Sequence, residues 1–323
     1  MWFWRFNVPC PDLTNQIPIT TEKITSKSVA KSNNGGSNDC VSSLPLATDE
    51  QMAITLNTII NFKEKEVARQ RQTIPLDEVR AQAESQDRSR NFFGAVVNGH
   101  TKSSTCVIAE VKRKSPSAGV IRDDFDPVDI AKCYENHGAS AISCLTDKEF
   151  FGGCIEHIHQ IRGAVSLPVL RKDFIIDDYQ VWESRAAGAD AILLIAEALS
   201  EGQLVDYLIL AQELGMTALV ETHDMGNLLK VQQYVGFPHA GYCLLGINNR
   251  NLATMKTDIS HTIRMADIVD DLSIVVSESG ISEPEDLDKL RTHGIHIVLV
   301  GESLMKQPNP GEALSKLIRM NPL

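Results

Sequence analysis

The fold class is decided by a stretch with the sequence GADAILLI, residues 188–195. A glycine ends one helical segment, and a short apolar run with little polar interruption follows it at once. The same order recurs at Gly138, Gly215 and Gly294, each of which stands just before another apolar run. Strands buried on both faces and separated by helices are typical of a parallel sheet with right-handed crossovers.

Eight such units follow residue 105, and eight units predict an α/β fold of the (β/α)8 TIM barrel type. A doubly wound open sheet is the rival interpretation, but fewer strands and a GxGxxG turn would favour it, and the sequence has neither. The predicted strands are 106–111, 140–145, 167–170, 190–195, 216–220, 242–247, 272–276 and 295–300. The predicted helices are 127–137, 153–163, 177–187, 200–214, 224–235, 258–269, 283–293 and 310–319.

Two segments precede the barrel. Residues 1–48 hold eleven Ser or Thr residues and a net charge of 4 − 3 = +1, with no sustained helical or strand period. Such a hydroxyl-rich, acid-poor leader fits an organelle transit peptide, and an untargeted disordered tail is the alternative. Residues 49–100 predict a helical extension of the barrel domain, capped by Thr48 or Asp49 and interrupted at Pro75. The predicted domain with this extension is therefore 49–323.

Composition excludes several classes of protein. The chain has 323 residues, 31 basic and 42 acidic side chains and a net charge of −11, which argues against non-specific binding of nucleic acid. The longest apolar stretch, 186–199, contains Asp190 and Glu197, so no membrane span is predicted. The seven cysteines form no CxxC pair, which indicates free thiols. No HExxH or paired Cys/His spacing suggests a metal site.

Charged residues recur where the predicted strands end, and in barrel enzymes this end carries the catalytic groups. Glu110 and Lys112 are two residues apart, so they share a face of the first strand. For Asp173, Asn251 and Ser303, a solvated loop position or a helix cap is the simpler interpretation. The other residues at strand ends are Lys172, Glu221, Asn248, Arg250 and Glu278.

Two short segments favour a phosphate site. Ser279-Gly280 and Gly301-Glu302 follow the seventh and eighth strands, where barrel enzymes commonly bind phosphate through backbone N–H groups. The loop 114–117 adds a cation and hydroxyls, although an ordinary surface turn explains it equally well. Aromatic residues follow strands 2 and 3 and are either core residues or a grip for an aromatic substrate. They are Phe150, Phe151 and Phe174.

These residues resemble the motifs of indole-3-glycerol phosphate synthases. The resemblance runs from about residue 50 to the C-terminus and rests on IAEVKRKSPS at 108–117, LRKDF at 170–174, LVE at 219–221, GINNRNL at 246–252, SESGI at 277–281 and LVGESLM at 299–305. It implies a carbon–carbon lyase of tryptophan biosynthesis that uses no cofactor or metal. The implied reaction converts 1-(2-carboxyphenylamino)-1-deoxyribulose 5-phosphate to indole-3-glycerol phosphate, carbon dioxide and water.

The resemblance also implies roles for single residues. Lys172 is the favoured general acid and Lys112 the partner of the substrate carboxylate, although that division stays open between the two lysines. Glu221 is the favoured base. We expect burial at the barrel mouth to lower the pKa of such a lysine. Glu110 is implied to hold a lysine and the substrate hydroxyls, Arg250 to clamp the substrate carboxylate, and Asn248 to hydrogen-bond the sugar. Glu278 is implied to complete the charge network, and Ser115 to close over the ligand. Phe151 and Phe174 are implied to contact the substrate ring.

Phosphate binding is implied for the backbone N–H groups of Ser279, Gly280, Gly301 and Glu302. Many family members have a small hydroxyl residue where Glu302 stands, and its carboxylate would repel phosphate. We therefore expect its side chain to turn away.

Two alternatives remain: another phosphate-binding barrel such as phosphoribosylanthranilate isomerase, and a barrel that has lost catalysis and serves as a scaffold. The expected partners are a small phosphorylated substrate and other enzymes of the tryptophan pathway, with no nucleic acid and no membrane. The expected location is the plastid stroma, with the cytoplasm as the alternative.

Overall fold

The computed structural model describes residues 55–99, 104–236, 239–251 and 254–320. They belong to one compact unit, Ile54–Leu323. The predicted leader, the predicted cap at Thr48 or Asp49, Cys10 and Cys40 lie outside the described residues. In the described part, the five remaining cysteines form no disulfide, and no helix is long and apolar enough to cross a membrane.

Eight parallel strands close into a barrel, as predicted. The strands of the described residues are Cys106–Val111 (β1), Lys114–Ser115 (β2), Gly119–Val120 (β3), Ala141–Leu145 (β4), Val169–Lys172 (β5), Ala191–Ile195 (β6), Thr217–Thr222 (β7), Cys243–Asn248 (β8), Val275–Glu278 (β9) and Ile297–Val300 (β10). The order around the barrel is β1-β10-β9-β8-β7-β6-β5-β4, and β1 pairs with both β10 and β4, which excludes the open doubly wound sheet. The remaining two strands, β2 and β3, form a small hairpin over residues 114–120.

Helices surround the barrel, and Gly138, Gly188, Gly215 and Gly294 all have positive φ at the predicted helix ends. The helices of the extension are Leu56–Thr73 (α1), Leu76–Glu84 (α2) and Phe92–Val97 (α3). Those that follow are Pro127–Asn136 (α4), Glu156–Ala164 (α5), Asp178–Ala186 (α6), Glu201–Glu213 (α7), Met225–Val231 (α8), Ser260–Ala266 (α9), Pro284–Thr292 (α10), Glu302–Met305 (α11) and Pro310–Leu317 (α12).

Alternation along the strands separates two cores. Val107 and Ala109 of β1 belong to the large core beneath the helices, whereas Ile108 belongs to the cluster inside the barrel. Phe92 of α3 is fully buried in that inner cluster, and Cys106 at the start of β1 donates to Ala95 O of the same helix. Helix α3 of the extension therefore closes the barrel at the amino ends of its strands, and the polar side chains lie at the carboxyl ends.

Two predicted strands are displaced. The third begins at Val169 instead of residue 167, because Pro168 has no N–H for the ladder, and it runs on through Lys172. The seventh begins at Val275, since residues Leu272–Ile274 form a 3-10 turn that the Asp271 carboxylate caps at Ser273 N. Both shifts move charged residues from predicted loops into strands, where the position of each side chain is fixed by the barrel.

Candidate active site

A cavity of about 450 Å³ opens at the carboxyl ends of the strands. Its volume lies in the range of sites for small molecules. Side chains of the inner face, such as Leu193 and Leu299, form its floor, and Leu56 and Ile59 of α1 form part of its wall. All fourteen sequence-predicted site residues line it: Glu110, Lys112, Ser115, Phe151, Lys172, Phe174, Glu221, Asn248, Arg250, Glu278, Ser279, Gly280, Gly301 and Glu302.

Strand alternation explains why the charges converge. Glu110, Lys172 and Glu221 each lie two residues beyond an apolar side chain of the inner cluster, so they continue the inward-facing row. Their neighbour Arg171 points the other way and donates to Gln180 O and Ser184 Oγ of α6. The period of two thus directs Lys172 into the cavity and its neighbour Arg171 beneath the helices.

Two clusters, each made of a lysine and one or two glutamates, line the cavity. Lys112 Nζ lies 2.6 Å from Glu110 Oε1. Lys172 Nζ lies 2.7 Å from Glu221 Oε2 and 3.1 Å from Glu278 Oε2. All five side chains are at most 13% exposed, so these charges interact with little screening by solvent.

The pKa of Lys172 corrects one expectation. Burial alone would lower it, but the carboxylates of Glu221, Glu278 and Glu110 raise the pKa of Lys172 well above its ordinary value. The prediction that burial would lower the pKa is therefore wrong for this lysine, because a single strand does not reveal the carboxylates of the neighbouring strands. Lys172 is an ammonium ion throughout the physiological range.

Glu221 and Glu278 differ in protonation although both are buried. Burial and the nearby Glu221 carboxylate raise the pKa of Glu278 well above its ordinary value. Burial opposes ionisation of Glu221 as well, but Lys172 and His223 lower its pKa. Two carboxylates that share one lysine cannot both ionise without cost, so Glu221 is the ionised member and Glu278 holds the proton.

Two glycines make room for these carboxylates. A Cβ on Gly301 would lie 2.3 Å from Glu110 Oε1, and a Cβ on Gly246 would lie 2.3 Å from Glu278 Oε1. Real Cβ atoms do not approach oxygen so closely. Gly301 therefore has a role that the sequence did not suggest, because it leaves space for the Glu110 side chain.

The loop after β9 is strained beside the cavity. Ser279 has φ of 67° and Gly280 has φ of 79°, and the left-handed region is costly for serine. Asn249 Nδ2 donates to Ser279 O at 3.0 Å and helps to hold this conformation. Successive left-handed residues of this kind expose backbone N–H groups, which makes the loop suitable for an anion.

Arg250 and Glu302 form a pair at the rim. Arg250 Nη2 lies 3.2 Å from Glu302 Oε2, and Lys306 Nζ lies 2.6 Å from Glu302 Oε1. Arg250 Nη1 also donates to Ser117 Oγ of the hairpin at 3.0 Å. The Glu302 carboxylate is thus neutralised by two cations beside the cavity. That phosphate contacts only the backbone N–H of Glu302 stays a prediction.

The three phenylalanines separate into two groups. The rings of Phe151 and Phe174 lie 6.0 Å apart and both line the cavity. Phe150 instead packs edge-on against Phe62 of α1, with ring centroids 5.6 Å apart. A cavity wall made by two rings suits a planar aromatic ligand.

The sequence interpretation missed a buried cation of the extension. Lys63 Nζ of α1 lies 2.9 Å from Asp173 Oδ1 and 3.0 Å from Asp147 Oδ2, and Glu66 Oε2 is 2.7 Å away. Asp173 is only 2% exposed, so its interpretation as a solvated loop residue is wrong. The available signal was the position of Lys63, four residues from both Ile59 and Val67 on the buried face of the helix.

Lys63 ties the extension to two loops of the site. Asp147 accepts hydrogen bonds from the N–H groups of Phe150 and Phe151, and Asp173 directly follows Lys172. Burial alone would lower the pKa of Lys63, but Asp173, Asp147 and Glu66 raise it. The extension is therefore part of the support of the site.

A second missed residue is His223. It lies two residues beyond Glu221, lines the cavity and stands between Glu221 and Glu197. The spacing from Glu221 to His223 repeats that from Glu110 to Lys112, and this repeat was the available signal.

Among the described residues, no group of three or more His, Cys, Asp or Glu side chains is arranged to hold a metal ion.

The chain was compared with known proteins. Residues 56–317 match the family described as indole-3-glycerol phosphate synthase. Among solved structures, the chain is similar to thiamine phosphate pyrophosphorylase from Pyrococcus furiosus, with 12% sequence identity, a TM-score of 0.47, and coverage of 68% of this chain and 96% of that chain. At that TM-score the structural likeness carries no argument.

Proposed function

The chain belongs to the indole-3-glycerol phosphate synthase family, and from that premise we propose that it closes the indole ring in tryptophan biosynthesis. The substrate is 1-(2-carboxyphenylamino)-1-deoxyribulose 5-phosphate, and the products are indole-3-glycerol phosphate, carbon dioxide and water. The observation that carries the proposal is the position of Lys172 Nζ, within 3.1 Å of both Glu221 and Glu278 in a cavity that Phe151 and Phe174 also line.

Ring closure requires a proton at the ketone oxygen. The ring carbon that bears the carboxylate attacks the ketone carbon, and negative charge develops on the oxygen. We assign Lys172 to stabilise this charge and to donate the proton. Its raised pKa does not prevent the transfer, because an alkoxide is a stronger base than an amine. A permanently charged lysine also provides stabilisation that is already in place before the reaction.

Decarboxylation and dehydration complete the reaction. The bond to the carboxylate carbon breaks, and its electron pair returns to the ring as carbon dioxide leaves. Loss of water then requires an acid at the hydroxyl and a base for the proton that leaves the new five-membered ring. Glu221 is the ionised carboxylate and takes the role of base, and Glu278 completes the charge network around Lys172.

The remaining side chains bind the substrate. Lys112 and Arg250 attract its carboxylate, with Glu110 holding Lys112 and the substrate hydroxyls. Asn248 hydrogen-bonds a sugar hydroxyl or an intermediate. Phe151 and Phe174 contact the substrate ring.

Phosphate binds where the left-handed loop and the start of α11 present backbone N–H groups. These groups belong to Ser279, Gly280, Gly301 and Glu302. Ser115, which is buried and accepts a hydrogen bond from Ala118 N within the hairpin, closes over the ligand.

The test is turnover of the substrate by the purified full chain, followed by the fluorescence of the indole product. We expect conversion without added metal, and loss of at least about a hundredfold in kcat for Lys172→Met, in line with removal of a general acid. Lys132→Met, at an exposed position of α4, is the matched control and should keep the wild-type rate.

Two other results would redirect the proposal. Tight substrate binding without conversion would favour a scaffold that has lost catalysis. Absence of both binding and conversion would favour another phosphate-binding barrel, such as phosphoribosylanthranilate isomerase.

We also propose that residues 1–48 direct the chain to the plastid stroma and that residues 49–323 form the synthase domain, which is free to contact other enzymes of the pathway. The support is the hydroxyl-rich, acid-poor composition of the leader. A fluorescent reporter fused to residues 1–48 should enter plastids. A reporter that stays in the cytosol would overturn the targeting role.

A further inference from the structure

His223 stands between two carboxylates. Its Nδ1 lies 3.2 Å from Glu197 Oε2, and its Nε2 lies 3.4 Å from Glu221 Oε1. Glu197 Oε1 also accepts the backbone N–H of His223 at 2.8 Å, so one carboxylate fixes both the main chain and the ring of this residue. The ring is thereby aimed at the oxygen of Glu221 that Lys172 does not occupy.

An imidazole with an acceptor on each side is stable when both nitrogens carry protons. Burial alone would lower the pKa of His223 and Lys172 opposes its charge, but Glu197 and Glu221 raise the pKa above its ordinary value. The other titratable groups nearby are Asp224 at the start of α8 and His261 of α9, which bonds the carbonyl oxygen of His223. The geometry thus favours an imidazolium ion at neutral pH.

This cation adjoins one of the two glutamates that share Lys172. Glu221 and Glu278 both contact Lys172, both are buried and only one of them stays ionised. Lys172 contacts both, at 2.7 Å from Glu221 and 3.1 Å from Glu278, so its own preference for Glu221 rests on the shorter of two contacts. Lys172 is the cation that lowers the pKa of Glu278, whereas the pKa of Glu221 is lowered by both Lys172 and His223.

We propose that His223, held by Glu197, decides which glutamate of the pair is the base, by keeping Glu221 ionised and leaving the shared proton on Glu278. Both act through Glu221 and are therefore positioning residues. The inference rests on the proposed function, because it deepens the role assigned to Glu221. Without the imidazolium, the proton moves onto Glu221 in part of the molecules, and these molecules lack a base.

The test combines kinetics with a matched control. We expect His223→Gln to lower kcat about tenfold or more at pH 7 with a smaller change in KM. We expect its acid limb of kcat/KM to move up by about one to three pH units, because loss of a neighbouring cation raises the pKa of a carboxylate. Glu197→Gln should shift the limb in the same direction by less. His159→Gln, at an exposed position of α5, should leave the profile unchanged.

A double-mutant cycle isolates the shared proton. Glu278→Gln removes the second titrating carboxylate, so adding His223→Gln to it should cost less than about threefold in kcat. Equal fold-losses in both backgrounds, or an acid limb that does not move in folded His223→Gln protein, would overturn the proposal.

A spectroscopic readout separates this inference from the proposed function. In full-length protein labelled with ¹⁵N at its nine histidines, the His223 signal should be that of an imidazolium at pH 7.5 and should be absent from His223→Gln. Failure of the wild-type protein to convert the substrate would refute the proposed function while this signal could still be observed. A neutral His223 in an active enzyme would refute the inference alone.

Discussion

Replacement of Lys63 by methionine tests whether the helical extension is held by its buried ion pairs. Methionine keeps most of the apolar stem and removes the ammonium group that lies within 3.0 Å of one oxygen each of Asp173, Asp147 and Glu66. The side chains of Asp147 and Asp173 are at most 1% exposed, so water cannot replace the lost partner.

The expected loss of stability follows from this burial. Removal of one partner of a buried ion pair costs about 3–5 kcal/mol, because the other charge is left uncompensated. Asp173 keeps Arg171 and Thr146 as partners, whereas Asp147 Oδ2 has no partner apart from Lys63 in the described part of the chain. With about 2–4 °C of Tm per kcal/mol for a domain of comparable size, Lys63→Met should lower Tm by roughly 6–20 °C.

Thermal unfolding of the full chain, followed by calorimetry, measures this shift. Lys65→Met is the matched control, since Lys65 lies on the exposed side of the same helix, and surface substitutions change stability by at most about 0.5 kcal/mol. Asp147→Asn provides the partner substitution, and its effect should not add to that of Lys63→Met, because both remove the same contact. Equal shifts for Lys63→Met and Lys65→Met, or additive shifts in the double variant, would refute the reasoning.

Three shorter predictions concern the site itself. Gly301→Ala would place a Cβ 2.3 Å from Glu110 Oε1, and we expect it to lower kcat/KM at least about tenfold. Gly202→Ala, in open space on α7, is the control and should keep full activity in the same assay. Burial opposes ionisation of Asp173, but Lys63 and Arg171 hold its pKa far below the ordinary value. Its contribution to stability is therefore present above about pH 4 and lost as the pH falls further, so Asp173→Asn should flatten the dependence of Tm on pH between about pH 4 and 2. Arg250→Lys removes a planar two-pronged donor, and KM for the substrate should rise about tenfold with a smaller change in kcat; an unchanged KM would exclude the clamp.

The fold could be predicted from local patterns that a single sequence contains. Apolar runs, helix-ending glycines and the helical period are properties of neighbouring residues, and they were sufficient for eight strands, their helices and the extension. The errors fell where backbone chemistry overrides hydrophobicity, at Pro168 and at the turn capped by Asp271. The sequence also predicted residues that line the cavity, because the period of two assigns Glu110, Lys172 and Glu221 to one face of their strands.

Only the tertiary structure decided how these charges act on one another. The raised pKa of Lys172, the opposite pKa shifts of Glu221 and Glu278, and the burial of Asp173 all depend on side chains from different strands and from α1. Coulomb interactions depend on the distance between two charges and on their burial. A sequence gives neither quantity for Lys172 and Glu221, which are 49 positions apart, or for Lys63 and Asp173, which are 110 positions apart. Residue types and their period determined which groups face the cavity, and closure of the barrel determined which of them hold the protons.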